Sequence, residues 1–192
     1  MCPLWSRAGS NTHPIWACHF LPIVDLFFRQ FYALFIIELG SRRAVHVGVT
    51  DSPTDAWLAQ LLRDATPFGE GPNYLIRDND STYGSQFATV AARASVKALK
   101  LPVGAPNADA VCERFLGPVR RACLDPLLLI GQRSVTRFLK EYVDYFNQLR
   151  LHQGLEQRIP EPSLVPDISR QATRVMRTSA LGGLHHAYQL AA

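Results

Sequence analysis

The chain is short of cysteine, of charge and of long apolar runs, and each shortage removes a class of protein. Four cysteines, Cys2, Cys18, Cys112 and Cys123, stand in 192 residues; none forms a C-x-x-C pair, and no such pair has histidines at zinc-finger spacing. A disulfide framework or structural zinc is therefore not expected, and reduced thiols in a cytoplasmic protein are. The longest apolar stretch, Phe31 to Leu39, is too short to span a bilayer. The N-terminus, MCPLWSRAGS, has no apolar core of the kind a signal peptide carries, so a cytoplasmic protein without a membrane span is expected. Charged residues make up only 19% of the chain, yet their balance is basic, with a formal net charge of +4. That sign suits a polyanionic partner such as nucleic acid without requiring one.

What is present is a run of alternating signals. The length suits one full domain with a sizeable core. Residues 1–14 read as a loose leader, residues 15–160 as the folded domain, and residues 161–192, Pro/Ser-rich and without clear periodicity, as a mobile tail. Within the domain, Ile15–Phe20 and the apolar, β-branched Phe31–Leu39 read as strands. Val45, Val47 and Val49 recur at every second position of Ala44–Thr50, the mark of a hairpin partner. Ser52-Pro53-Thr54 opens a helix running to Ala65 with Trp57, Leu58, Leu61 and Leu62 on one face. A short strand over Tyr74–Ile76, a helix over Ser85–Val96 and a brief strand over Ala98–Lys100 follow. Asn107 reads as the N-cap of a helix to about Leu124. A last helix spans about Ser134–Leu149, with Phe138, Tyr142, Tyr145 and Phe146 facing a core. The order predicts an α/β domain on a mixed sheet, antiparallel first and parallel later.

Open sheets of this kind gather their sites at the carboxyl ends of strands. Asp78 follows the strand Tyr74–Ile76, and Glu113, 35 residues on, lies in the first turns of the helix opened by Asn107. A strand-end aspartate and a helical glutamate can converge on divalent metal, for which magnesium prefers oxygen ligands. Taken alone, an Asp and a Glu at such positions are more often the solvated surface groups of any soluble domain.

The surrounding residues resemble a known family. IRDNDSTYGSQF around Asp78 and APNADAVCERFLGPVRRACLD around Glu113 resemble the second and third acidic motifs of insertion-sequence transposases with a retroviral-type integrase core. FYALFIIELGSRRAVHVGVT looks like the strands between the first two motifs, NQLRLHQGL like the segment that ends such cores, and GGLHHAYQLAA like the tail of some members. The resemblance runs from about Trp16 to the C-terminus. It implies an RNase H-like fold, a mixed five-stranded sheet flanked by helices, in which two aspartates and a glutamate hold Mg2+ (or Mn2+) to cut and join DNA. It also implies DNA and further copies of the chain as partners. By position Asp78 is the second acid and Glu113 the third; Asp80 stands close by, but its separation of 33 residues from Glu113 and the run Ser81, Tyr83 and Phe87 favour Asp78.

Three departures from the pattern set expectations. The family carries its first acid in a stretch like A-C-D-F-F, where WACHFLPIVDLFFRQ has His19. Histidine is a poor magnesium ligand and, when neutral, adds no negative charge, so impaired or lost activity is expected. Asp25, six residues on, lies roughly 20 Å away along an extended chain and is a poor replacement. Gly117-Pro118 falls inside the Glu113 helix, where an interior proline removes a hydrogen bond at a cost of about 3 kcal/mol or a kink. The chain begins almost at the first strand, so helix-turn-helix recognition of element ends is not expected. Candidate phosphate contacts are Arg114, Arg120, Arg121, Arg133, Arg137 and Lys140, which can equally form a solvated face balanced by Asp125, Glu141 and Asp144.

Overall fold

The computed structural model describes residues 14–67, 71–100, 106–150, 159–160 and 174–191. Strands β1 (Ile15–Val24), β2 (Gln30–Glu38) and β3 (Ala44–Thr50) form an antiparallel meander, and β4 (Tyr74–Arg77) and β5 (Lys97–Lys100) add to β1 in parallel. The sheet order is β3-β2-β1-β4-β5. Helix α1 (Asp55–Ala65) crosses from β3 to β4 and α2 (Ser85–Arg93) from β4 to β5; α3 (Pro106–Val119) and α4 (Gly131–Gln148) follow. This is the α/β mixed sheet that the strand and helix signals predict.

Each face of the sheet is covered, which is why β2 is apolar at nearly every position rather than alternating. One face packs on α3 and α4 through Phe35, Ile37, Phe115, Leu139 and Phe146. The other packs on α1 and α2 through Leu34, Ile36, Leu58, Leu62 and Val90. The interior helix interface is held in part by aromatic edges, Phe115 meeting Phe35 at 5.1 Å and Phe146 at 4.7 Å. On its other side α4 is sewn to the sheet edge, because Asn147 accepts from the N–H of Ala44 and donates to its carbonyl, both at 2.9 Å.

Several boundaries differ from expectation, each for a local reason. β1 continues past Phe20 to Val24, through Pro22. β4 leaves β1 after Cys18, so this part of β1 is an open edge, where sheets accept a proline. α2 stops at Arg93 rather than Val96. Ser95 adopts φ 56°, its N–H bonds to Ala92 and that of Val96 to Ala91, the closing pattern of a Schellman turn. α3 begins at Pro106, so Asn107 lies inside the first turn and is not its cap; proline suits that first position because its missing N–H would have no helical partner. Pro118 does not end the helix. It continues to Val119 and then widens into a π-turn over Arg120–Leu124, closed by Asp125 N–H on the Arg120 carbonyl.

The expected leader lies outside the described residues except for Pro14, as do residues 161–173 of the expected tail. Over 174–191 the chain forms a hairpin, β6 (Arg174–Ala180) and β7 (His185–Ala191), that the sequence reading did not contain. Its signal is weak because Val175, Leu184 and Tyr188 face solvent, while Leu181, next to the buried Ala180, is driven into the core at 2% exposure. Leu181 N–H donates to Glu141, and His185 stacks on Tyr145 while contacting the Ala122 carbonyl at 2.6 Å.

Candidate active site

β1 and β4 run side by side as far as the pair Cys18 and Arg77, then part. His19 and Asp78 are the next residues at this divergence. His19 stands opposite Phe35, whose ring packs on Phe115 of α3. Directly opposed residues of antiparallel strands share a face, so His19 lies on the α3 side. Ile76 packs into that same layer, and Asp78, two residues on, keeps the side. On α3, Cys112, Phe115 and Leu116 turn into the core and leave Glu113 exposed beside them. Helix α3 packs against β1, so the turn carrying Glu113 lies on that face of the sheet. The structure therefore brings His19 and Asp78 together and sets the Glu113 turn on the same side of the sheet.

Electrostatics follow from this placement. Half-burial pushes the Asp78 carboxyl above the usual aspartate range, and Asp80 adds to the rise. The Asp80 N–H, His19 and Arg77 pull the other way without cancelling it. Asp80 itself is exposed and is used within its own turn, accepting from Thr82 N–H at 2.8 Å and from the Thr82 hydroxyl at 2.5 Å.

The Asp78 loop is held by residues on the opposite face of the sheet. Arg77 donates to the Asp78 carbonyl at 3.0 Å and lies 4.5 Å over the ring of Tyr83. The Tyr83 hydroxyl meets Cys18 Sγ at 3.2 Å. Burial pushes the Cys18 thiol up to about 12 and the Tyr83 phenol above its usual range, so both stay protonated at neutral pH. Asp55 of α1 caps α2 from outside, accepting from Gly84, Gln86 and Phe87 N–H at 2.8–2.9 Å. Sequence reasoning missed Arg77, Tyr83 and Asp55. The partners of Asp55 are about 30 residues away, and only its place in the first turn of α1 marked it at all.

Asp25 is committed elsewhere. It is 5% exposed and accepts from the N–H of Phe27 and Arg29, both at 2.9 Å, from Gly131 N–H at 3.1 Å, and from the Arg29 guanidinium at 2.6 and 2.9 Å. With β1 extended up to Val24, this carboxylate sits at the far tip of the hairpin and is not a donor to the His19–Asp78 site.

The residues do not fit a pair of magnesium ions. Among the described residues no three His, Cys, Asp or Glu side chains are placed to share a metal. The side chain that β1 sets beside Asp78 is an imidazole, which magnesium avoids.

Of the six basic candidates, all are exposed. Arg133, Arg137 and Lys140 share one stripe of α4 and line an open groove of about 580 Å³ with Gln132 and Thr136. Arg114 and Arg121 lie on α3 and the π-turn. Arg120 reaches toward β1, donating to the Pro22 carbonyl at 3.0 Å. No helix among the described residues is long and apolar enough to cross a membrane.

Comparison with known proteins agrees with the fold. Residues 95–160, the segment carrying α3 and α4, match the family described as Integrase core domain. No curated protein matches. Among solved structures the chain is similar to the HTLV-2 integrase catalytic core domain in complex with magnesium, at 13% identity and TM-score 0.62, covering 76% of this chain and 92% of that one. It is also similar to a chain of the simian T-cell lymphotropic virus intasome in complex with the PP2A regulatory subunit B56 gamma (15% identity, TM-score 0.64, 95% and 68% covered). A third likeness is the BIV integrase catalytic core domain, at 12% identity and TM-score 0.58, covering 76% and 90%. The chain thus has the RNase H-like fold of these integrase catalytic domains, and residues 95–160 carry the integrase core domain match.

Proposed function

We propose that this chain is a DNA transposition or integration core whose metal centre is impaired by His19. Asp78 is the second acidic position and Glu113 the third, and both would hold magnesium or manganese if a carboxylate stood at residue 19. Bound metal in such a core activates the attacking oxygen and neutralises charge on a phosphodiester; the HTLV-2 relative is a magnesium complex. The observation that carries the reading is the pairing of His19 with Asp78 at the divergence of β1 and β4, with Asp25 tied into the hairpin and unable to substitute. The Arg133, Arg137 and Lys140 stripe is the proposed DNA contact, joined by Arg114 and Arg121, through phosphates rather than bases. Arg120, turned toward Pro22, is the weakest member of that set. Self-association fits the oligomeric forms of the HTLV-2 core. A cytoplasmic, reducing setting suits the buried cysteines Cys18, Cys112 and Cys123, none of which forms a disulfide among the described residues. The alternative reading is a DNA-binding or assembly module with no chemistry left, and the intact basic stripe supports it.

Calorimetry with magnesium and manganese tests this on the native chain and on His19→Asp, each alone and with Asp78→Ala. Binding that appears only in His19→Asp, and vanishes with Asp78→Ala, is the expected result. Tight binding by the native chain, lost with Asp78→Ala, overturns the impairment. Binding by neither chain overturns the idea of a sound scaffold around one altered ligand and leaves the module reading.

A further inference from the structure

The hairpin between β1 and β2 ends in an apolar tip. Phe28 is 90% exposed, Phe27 60% and Leu26 51%. Phe28 sits at φ 59°, a left-handed backbone conformation that bulky residues rarely hold without compensation. The compensation is Asp25, whose carboxylate gathers the N–H groups of Phe27, Arg29 and Gly131 and the Arg29 guanidinium. Leu26 N–H also bonds to the Leu129 carbonyl at 3.0 Å. The tip is therefore rigidly joined to the segment before α4, which exposes Leu128 and Ile130 at 73% and 56%. Between them lies an open cavity of about 370 Å³, walled by Pro22, Val24, Leu26, Leu124, Leu127 and Leu128.

We propose that this face is a two-fold interface with a second copy of this chain, Phe28 of each protomer entering the cavity of the other. Knob and cavity lie side by side on one surface, the arrangement an isologous contact needs. Arg120 and Asp125 both line the cavity, so each copy presents both signs of charge, and a two-fold contact that opposes them is self-complementary. Opposite charges within one cavity disfavour a phosphate or a nucleic-acid strand, and the aliphatic walls favour protein. The area suffices: with aromatic residues burying about 150–250 Å² each, this face covers roughly 600–800 Å² per protomer, close to a standard interface. A tip fixed before contact loses little entropy on docking. This locates the self-association proposed above, and its test reads mass alone, so it fails separately from the metal and DNA readings.

The experiment is sedimentation velocity on the full chain, native and as Phe28→Asp, Leu128→Glu and Arg63→Glu, with circular dichroism to confirm folding. A native dimer that becomes monomeric in Phe28→Asp and Leu128→Glu but persists in Arg63→Glu, on the exposed face of α1, is expected. A native monomer at high concentration overturns the proposal, as does a dimer indifferent to the tip and broken at α1. If the charged variants do not fold, mild oxidation of a mixture of Phe28→Cys and Leu128→Cys chains decides. A cross-linked mixed dimer, in excess of what either chain gives alone, is expected, and its absence overturns the interface.

Discussion

Asp25 and Gly131 stand 106 residues apart in the chain and are joined by a 3.1 Å hydrogen bond from the Gly131 N–H to Asp25 Oδ2. That bond fastens the β1–β2 hairpin tip to the start of α4. It also takes up the one carboxylate downstream of His19 that a sequence argument offers as a stand-in ligand.

The same carboxylate sets an acid limit on stability. Burial pushes it up, but the Arg29 guanidinium and the N–H groups of Arg29, Gly131 and Phe27 outweigh this and hold it at about 2, against an ordinary value of 3.8. A carboxyl lowered in the folded state contributes stability above its unfolded value and loses it as pH falls through the folded one. The stability that Asp25 supplies is thus complete above pH 3.8 and lost toward pH 2. Thermal midpoints across this window should fall steeply for the native chain. Asp25→Asn should show a lower midpoint at neutral pH and a shallower decline; equal slopes would refute the role.

Asn147→Leu should cost about 1–3 kcal/mol, because it strands both the N–H and the carbonyl of Ala44 in a buried edge. Urea denaturation measures it. A loss near zero would mean that water replaces the side chain and that the α4 seam is not closed.

Gly48 faces α1, and a Cβ there would collide with the Leu61 side chain. Gly48→Ala should destabilise the fold by about 1–3 kcal/mol through overpacking. The paired change Gly48→Ala with Leu61→Val should recover part of it, since the shortened side chain clears the space. Denaturation of the single and double variants checks both statements.

Asp55→Ala should lower the thermal midpoint by a few degrees by uncapping α2. In the His19→Asp background it should also weaken metal binding, because the Asp78 loop leads directly into that cap. Calorimetry on the double variant reads this; an unchanged affinity would show that the loop is held by Arg77 and Tyr83 alone.

Much of the fold was legible because its elements carry strong local periods. β3 ran where Val45, Val47 and Val49 placed it, and α1 began where Thr54 accepts from Trp57 N–H. The C-terminal hairpin was not legible, since among its described residues only the adjacent Ala180 and Leu181 are buried, which gives no period to read. Asp78 and Glu113 stood out by position, but their expected roles, and that of His19, came only through resemblance to neighbouring motifs, as lone side chains carry no pattern of their own.

By itself the sequence determined the sheet-and-helix order and the presence of an imidazole in a motif that elsewhere holds an acid. Local chemistry suffices for both, because hydrophobic period and residue identity are written along the chain. Tertiary structure decided that His19 meets Asp78 where β1 and β4 part, that Asp25 closes a hairpin, and that Phe27 and Phe28 stand clear of the core. These depend on contacts between residues tens to a hundred positions apart, and only the register of the sheet and the packing of α3 and α4 bring them within reach.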